Sequence, residues 1–266
     1  MFKVTKYPHG TFSWADCAST DSATGKKFYA ELMGWQIEDM PMGDDLFYTM
    51  YKQDGEYTAA LSPMQAGMQE QHVPSHWNSY ITVDNVDALA GKVKELGGTI
   101  IAEPFDVFDS GRMMVIQDPT GAMVSFWQAQ NHIGAGLVNT PGAFTWNELY
   151  TRDLEKAKDF YSKLLGWTYT RQEGAMDYFV IMNGSRPNGG MMTIAPTMGD
   201  MPPNWTVYFS VADIDKTVEK AKSLGGQLAT PIMDAGGVGR IGFIIDPTGA
   251  MAAYIQTAQP QEWDLN

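Results

Sequence analysis

Phe12-Ser13-Trp14-Ala15-Asp16 returns 132 positions later as Phe144-Thr145-Trp146-Asn147-Glu148. Phe28-Tyr29 with Leu32-Met33-Gly34-Trp35 returns at the same offset as Phe160-Tyr161 with Leu164-Leu165-Gly166-Trp167. Further on, the offset is 128. Leu96-Gly97-Gly98 becomes Leu224-Gly225-Gly226, and Asp118-Pro119-Thr120-Gly121-Ala122-Met123 becomes Asp246-Pro247-Thr248-Gly249-Ala250-Met251. Two copies of this length predict two similar domains, the second shorter by a net four residues.

Each copy divides again. Phe12, Trp14 and Asp16 alternate as a strand with one buried face does. A helix opening near Asp21 follows, with Phe28, Tyr29 and Leu32 on one side. Its counterpart starts at a cap on Asp153 and carries Leu154, Ala157, Phe160, Tyr161, Leu164 and Leu165 at helical spacing. Gly34 and Gly166 end the two helices, since a left-handed C-terminal residue favours glycine. Strands are expected at Leu46–Tyr51 and Tyr57–Ser62, then a loop over Pro63–Pro74.

The pattern then restarts. Trp77–Val83 reads as a strand, and a helix capped by Asp84 or Asn85 ends at Gly97-Gly98. In the second copy these are Trp205–Val211 and a helix capped by Asp213. Asp118-Pro119-Thr120-Gly121 suits a type I turn between strands Met113–Gln117 and Met123–Gln128, and Asp246–Gly249 does the same between Ile241–Ile245 and Met251–Gln256. The result is strand–helix–strand–strand–strand four times, with modules opening near residues 11, 76, 143 and 204. The expected boundaries are a first domain over 8–130, a linker over 131–141 and a second domain over 142–258, then a tail over 260–266.

Composition narrows the function classes. The 266 residues are 44% hydrophobic and carry a net charge of −13, with a pI near 4.6 and mean hydropathy of −0.25. So acidic a chain with no Lys/Arg run is not expected to bind nucleic acid. No stretch approaches the roughly 18 apolar residues of a membrane span, and no secretory signal opens the chain. A cytoplasmic location is expected. The single cysteine, Cys17, excludes an internal disulfide and a cysteine-based zinc cluster. Met113-Met114 and Met191-Met192 fall in strands, where soft side chains fill cores or line adaptable pockets.

Four such modules resemble the vicinal oxygen chelate superfamily of glyoxalase I, bleomycin-resistance proteins and extradiol dioxygenases. The likeness rests on the module-opening strand, the Phe-Tyr helix ending in Leu-Gly-Trp (Leu-Met-Gly-Trp in the first copy), the Leu-Gly-Gly after the second helix and Asp-Pro-Thr-Gly before the last strand. It covers Gly10 to Gln256. It implies an α+β fold of four βαβββ modules, paired into two glyoxalase-like domains whose mixed sheets curl around two cavities. It leaves open whether each half closes on itself or the first module pairs with the fourth and the second with the third.

The family's metal enzymes draw His, Glu or Gln ligands from the first and last strands of the modules. The resemblance places those positions at Trp14 and Trp146, at Asn78 and Thr206, at Ser125 and Ala253, and near Ala60 and Met191. None is a His, Asp, Glu or Cys, so no metal site is expected and no cofactor is assigned; a divalent metal on divergent ligands is the alternative.

Strand alternation places Asp16 and Glu148 on the same face as the tryptophans. These carboxylates are the candidates for a catalytic base or for a ligand contact. Arg112 and Arg240 recur after glycines and would meet the carboxylates as ion pairs. Asn78, Tyr80, Ser125, Trp127, Thr206 and Tyr208 complete the expected ligand-binding set. With Trp14 and Trp146 they describe aromatic cavities holding a few polar groups, unless the tryptophans fill them. Of the histidines, only His76 shares the inward parity, at a rim. His132 falls in the linker.

The expected function is metal-independent binding of a small aromatic or cationic molecule by a monomer or homodimer. A metal-dependent lyase, isomerase or dioxygenase with divergent ligands is the first alternative. A protein with filled cavities acting through its surface is the second.

Overall fold

The computed structural model describes residues 2–172 and 177–259; the expected tail over 260–266 lies outside the described residues. Four long helices stand where the repeat places them: Ser22–Met33, Val86–Glu95, Leu154–Leu165 and Ile214–Ser223. The side chains of Asp21, Asn85, Asp153 and Asp213 each accept a hydrogen bond from a backbone N–H of the first turn, satisfying a donor the helix itself leaves open. Gly34 and Gly166 sit in the left-handed region at φ 73° and 76°.

The strands form two mixed sheets. The first runs in the order Gln36–Gly43, Leu46–Gln53, Glu56–Pro63, Thr11–Ser19, His76–Thr82, Met123–Ala129, Gly111–Gln117 and Thr99–Val107. The second repeats this with Thr168–Gln172, Tyr178–Asn183, Arg186–Thr193, Phe144–Thr151, Asn204–Ser210, Met251–Thr257, Gly239–Ile245 and Gln227–Leu228, and adds the short strands Phe2–Lys3, Leu137–Val138 and Met233–Asp234. Each half therefore closes on itself. Thr11–Ser19 pairs antiparallel with His76–Thr82, and Phe144–Thr151 with Asn204–Ser210; among the described residues the crossed pairing of modules does not occur. Edge strands Gln36–Gly43 and Thr99–Val107 lie mostly in water, whereas the central Thr11–Ser19 is buried along its whole length. The Pro63–Pro74 segment holds a short helix, Ala66–Glu70.

The central strands of the two sheets pack on each other, Trp77 against Phe209 and Phe12 against Trp205, with the helices of the two halves meeting beside them. Ser22–Met33 meets Ile214–Ser223, and Val86–Glu95 meets Leu154–Leu165. The second glycine of each Leu-Gly-Gly explains itself here. A Cβ at Gly226 would stand 3.0 Å from the Phe28 ring, and one at Gly98 would stand 3.2 Å from the Phe160 ring. The junction is nearly two-fold. Trp35 Nε1 donates to the Gly142 carbonyl at 2.7 Å, and Trp167 Nε1 donates to the Gly10 carbonyl at 2.8 Å. Trp77 donates to Tyr29 and Trp205 to Tyr161. Tyr161 Oη then donates across the junction to Asp118 Oδ2 at 2.9 Å. The pseudo-symmetry breaks at its mate, where Asp246 Oδ2 is buried without a hydrogen bond among the described residues. Here Cys17, whose thiol burial pushes up, stands where the second half has Leu149.

Candidate functional site

The helices cover one face of each sheet, and the other face curls into a cup. Register fixes which side chains enter it. In the first half Asp16 lies between Asn78 on one neighbouring strand and Ala60 on the other, while Trp14 lies beside Tyr80 and Tyr80 beside Ser125. Thr49, of opposite parity, turns to the helix side and hydrogen-bonds Asp39, which pairs with Lys26 of the first helix.

Asp16 is 4% exposed and accepts three hydrogen bonds. Its Oδ2 accepts from Tyr48 Oη at 2.9 Å and from Tyr80 Oη at 2.8 Å, and its Oδ1 accepts from Asn78 Nδ2 at 2.9 Å. Trp14 Nε1 donates to Tyr48 Oη at 3.0 Å, so the tryptophan orients the tyrosine that holds the carboxylate. Burial pushes the Asp16 carboxyl above the usual carboxylate range against the opposing pull of these donors and of His76 at the rim.

Glu148 repeats the device with a longer arm. It accepts from Tyr208 Oη at 2.9 Å and is hydrogen-bonded also by Tyr150 and Tyr178, while burial raises its carboxyl. Trp146 Nε1 donates to Tyr178 Oη at 3.2 Å. Opposite Glu148 stands Gly190, the counterpart of Ala60. The extra methylene of glutamate is matched by one carbon fewer on the neighbouring strand. The fourth-strand position expected near Met191 is therefore Gly190, and Met191 turns into the core.

The two arginines are corrected. Arg112 forms a two-pronged pair with Asp87 at 2.8 Å and also meets Asp106; Arg240 pairs with Asp215. Neither reaches Asp16 or Glu148. Met113 and Val115 pair with Trp127 and Ser125 and share the cup face, so Arg112, of opposite parity, must turn to the helix side. The same alternation sends Arg240 away from Ile241 and Phe243. Of the other expected residues, Trp127 donates through Nε1 to the His132 carbonyl, and Thr206 donates to Asn204.

Four contributors escaped the sequence reading. Tyr48 and Tyr178 are related by an offset of 130, between the two offsets that the motifs reveal. Tyr150 has Ala18 as its counterpart, so no repeat marks it. His132 is the fourth. The linker folds back over the first cup, where Ala135 N–H donates to the Ser13 carbonyl and Gly136 N–H to that of Tyr57. This puts the His132 ring edge-on to Trp14, with centroids 4.7 Å apart. Burial lowers its pKa to about 4, so it is neutral at pH 7. His76 stands beside Ala18 at the rim, as parity requires.

The donor set does not fit a divalent metal. One carboxylate, two phenols, an amide and a serine replace the several imidazoles and carboxylates that such a site needs. Among the described residues no three His, Cys, Asp or Glu side chains gather into a metal-binding group.

The match to known proteins follows the repeat. The model of the Glyoxalase/Bleomycin resistance protein/Dioxygenase superfamily matches twice, over residues 11–126 and 131–254, and the chain belongs to this superfamily. CFP32 of Mycobacterium tuberculosis, whose name assigns it provisionally as a glyoxylase, is 42% identical over 264 residues, spanning 98% of this chain and all of that protein. The anthracycline biosynthesis protein DnrV of Streptomyces peucetius is 34% identical over 95% of each chain. The fold is shared with the 2,3-dioxygenase LapB from Pseudomonas sp. KL28, at a TM-score of 0.67 and 11% identity over 96% of this chain and 95% of that one. It is shared also with the Mn(II)-bound glyoxalase from Novosphingobium aromaticivorans, at 0.64 and 15% over 96% and 86%.

Proposed function

We propose that this protein binds a small organic molecule without a metal. One observation carries the reading: Asp16, the buried carboxylate on the floor of its cup, is held by Tyr48, Tyr80 and Asn78. Phenols and an amide hold an anion in place by donating to it, whereas a metal centre would need those positions to be electron-pair donors. The chemistry left to such a cup is recognition. A carboxylate fixed by three donors keeps one of its four lone-pair sites for a hydroxyl or ammonium of the ligand. Aromatic walls supply the apolar contact. The relation to a protein named for anthracycline biosynthesis supports an aromatic ligand.

Elemental analysis of protein purified without chelator or added metal tests this reading. The expected result is no stoichiometric metal, with thermal stability unchanged by chelator. A stoichiometric metal that disappears in the Asp16→Ala/Glu148→Ala double variant would overturn it.

A further inference from the structure

The two cups share their floor and differ in what stands above it. Above Glu148 the second cup holds Tyr150, Met192 and Phe243, which with Ile194, Tyr208, Ala253 and Ile255 make a buried cluster separate from the main core. Arg152 donates to the carbonyls of Gly199 and Met201, pinning that loop so that Met201 packs against the cluster. The register gives the first-cup counterparts. Tyr150 lies between Met192 and Asn204 as Ala18 lies between Ser62 and His76, and Phe243 lies beside Ala253 as Val115 lies beside Ser125. Tyr150, Met192 and Phe243 of the second cup thus stand where the first has the smaller Ala18, Ser62 and Val115.

The first cup also has an apolar rim. Met40 and Leu46 share the Tyr48 face of one lip, and Phe105 pairs with Met113 on the other. Met40, Leu46 and Phe105 are 47%, 48% and 43% exposed, although hydrophobic. Apolar side chains left in water on both lips of one cup, above a polar floor, are what a ligand-binding surface needs.

We infer that the ligand occupies the first cup alone, the second being closed by its own side chains, and that it is a flat aromatic molecule bearing a neutral hydroxyl or a protonated amine. The flatness follows from a cup walled by strands on both sides and lipped by methionines, which adapt to a ring face. The charge preference follows from Asp16 on the floor and from the arginines having turned to the other face. An anionic ligand would meet a buried carboxylate on the cup floor. This assignment rests on the metal-independent reading above.

The test is titration calorimetry on chelator-treated full-length protein, with 1,8-dihydroxyanthraquinone and anthraquinone-2-sulfonate as probes. The expected result is one equivalent of the dihydroxy probe, bound at least tenfold more tightly than the sulfonate. Ala18→Tyr/Ser62→Met, which writes the second cup's fillers into the first, should abolish binding. Val115→Phe, the milder change should the double variant not fold, should weaken it at least tenfold. Tyr150→Ala/Met192→Ser in the second cup should leave the first equivalent unchanged. Two equivalents in the wild type, or one that the first-cup variants leave intact, would overturn the choice of cup. Equal affinity for the sulfonate, or no binding of either probe, would overturn the ligand class. Metal content reports separately on the underlying reading, so the two failures are distinguishable.

Discussion

Replacing Gly190 by alanine tests whether the two carboxylate cages are variants of one design. A Cβ at Gly190 collides with Tyr178 Oη, stands 2.6 Å from Tyr178 Cζ and lies 3.2 Å from Glu148 Oε2. The phenol must retreat by more than about 1 Å to reach ordinary contact, within a cluster already packed. Retreat weakens the hydrogen bond to Glu148 and the one from Trp146 Nε1. A hydrogen bond to a charged group contributes about 1.5–3 kcal/mol, and overpacking costs about 1–3 kcal/mol. Removing the glycine from a strand returns about 0.5–1 kcal/mol. The net destabilisation is roughly 3 kcal/mol, or on the order of 6–12 °C in Tm for a protein of this size. The first domain already contains the compensated solution, because Ala60 stands opposite the shorter Asp16 and tolerates Tyr48. Adding Glu148→Asp to Gly190→Ala should therefore recover part of the loss, with a coupling of about 1–2 kcal/mol in a double-mutant cycle. Denaturant unfolding of the four proteins measures it. A single-variant cost below about 1 kcal/mol, or strictly additive losses, would refute the reasoning.

Three further outcomes are expected. Tyr48→Phe strands the buried Trp14 Nε1 donor and removes a donor from Asp16, costing about 1–3 kcal/mol by denaturant unfolding; a neutral result would contradict the chain from Trp14 through Tyr48 to Asp16. Burial raises the Asp16 carboxyl in the folded state, so its contribution to stability is fully present below the unfolded carboxylate pKa and is lost as pH rises through the folded value. Asp16→Asn, accommodated by turning the Asn78 amide, should gain on wild type as pH rises from about 4 to neutrality; parallel stability curves would sink this account. Asp118→Ala should cost about 1–3 kcal/mol more than Asp246→Ala, because both lose a turn cap but only Asp118 also receives Tyr161 across the junction; equal losses would show that the cross-domain bond contributes nothing.

The fold was legible because a repeat reports on itself: Leu-Gly-Gly and Asp-Pro-Thr-Gly carry backbone demands that a second copy confirms. Asp16 and Glu148 were legible from alternation alone. Tyr48 and Tyr178 were not, because the net deletion falls in two steps around their hairpin and gives them an offset that neither motif displays. Arg112 was misplaced by treating recurrence as evidence of a shared site, when strand parity already sent it to the helix face. His132 lies in a segment without periodicity, and only tertiary structure shows that it folds back onto Trp14. The pairing of modules was open because the opening strands of modules two and four are close copies, and nothing in either names its neighbour.

The near-symmetry at the junction bears on how this chain can change. Trp35 with Gly142 and Trp167 with Gly10 each bind a residue of one half to the backbone of the other, so substitutions there act on both halves at once. Strand alternation puts Ala18, Ser62 and Val115 on the opposite, cup-facing side of their sheet. A duplicated gene with this architecture can redesign one cup while its twin, packed solid, preserves the scaffold. For an engineer, this means that cup libraries belong in the first half, and that neither half is a candidate for expression alone.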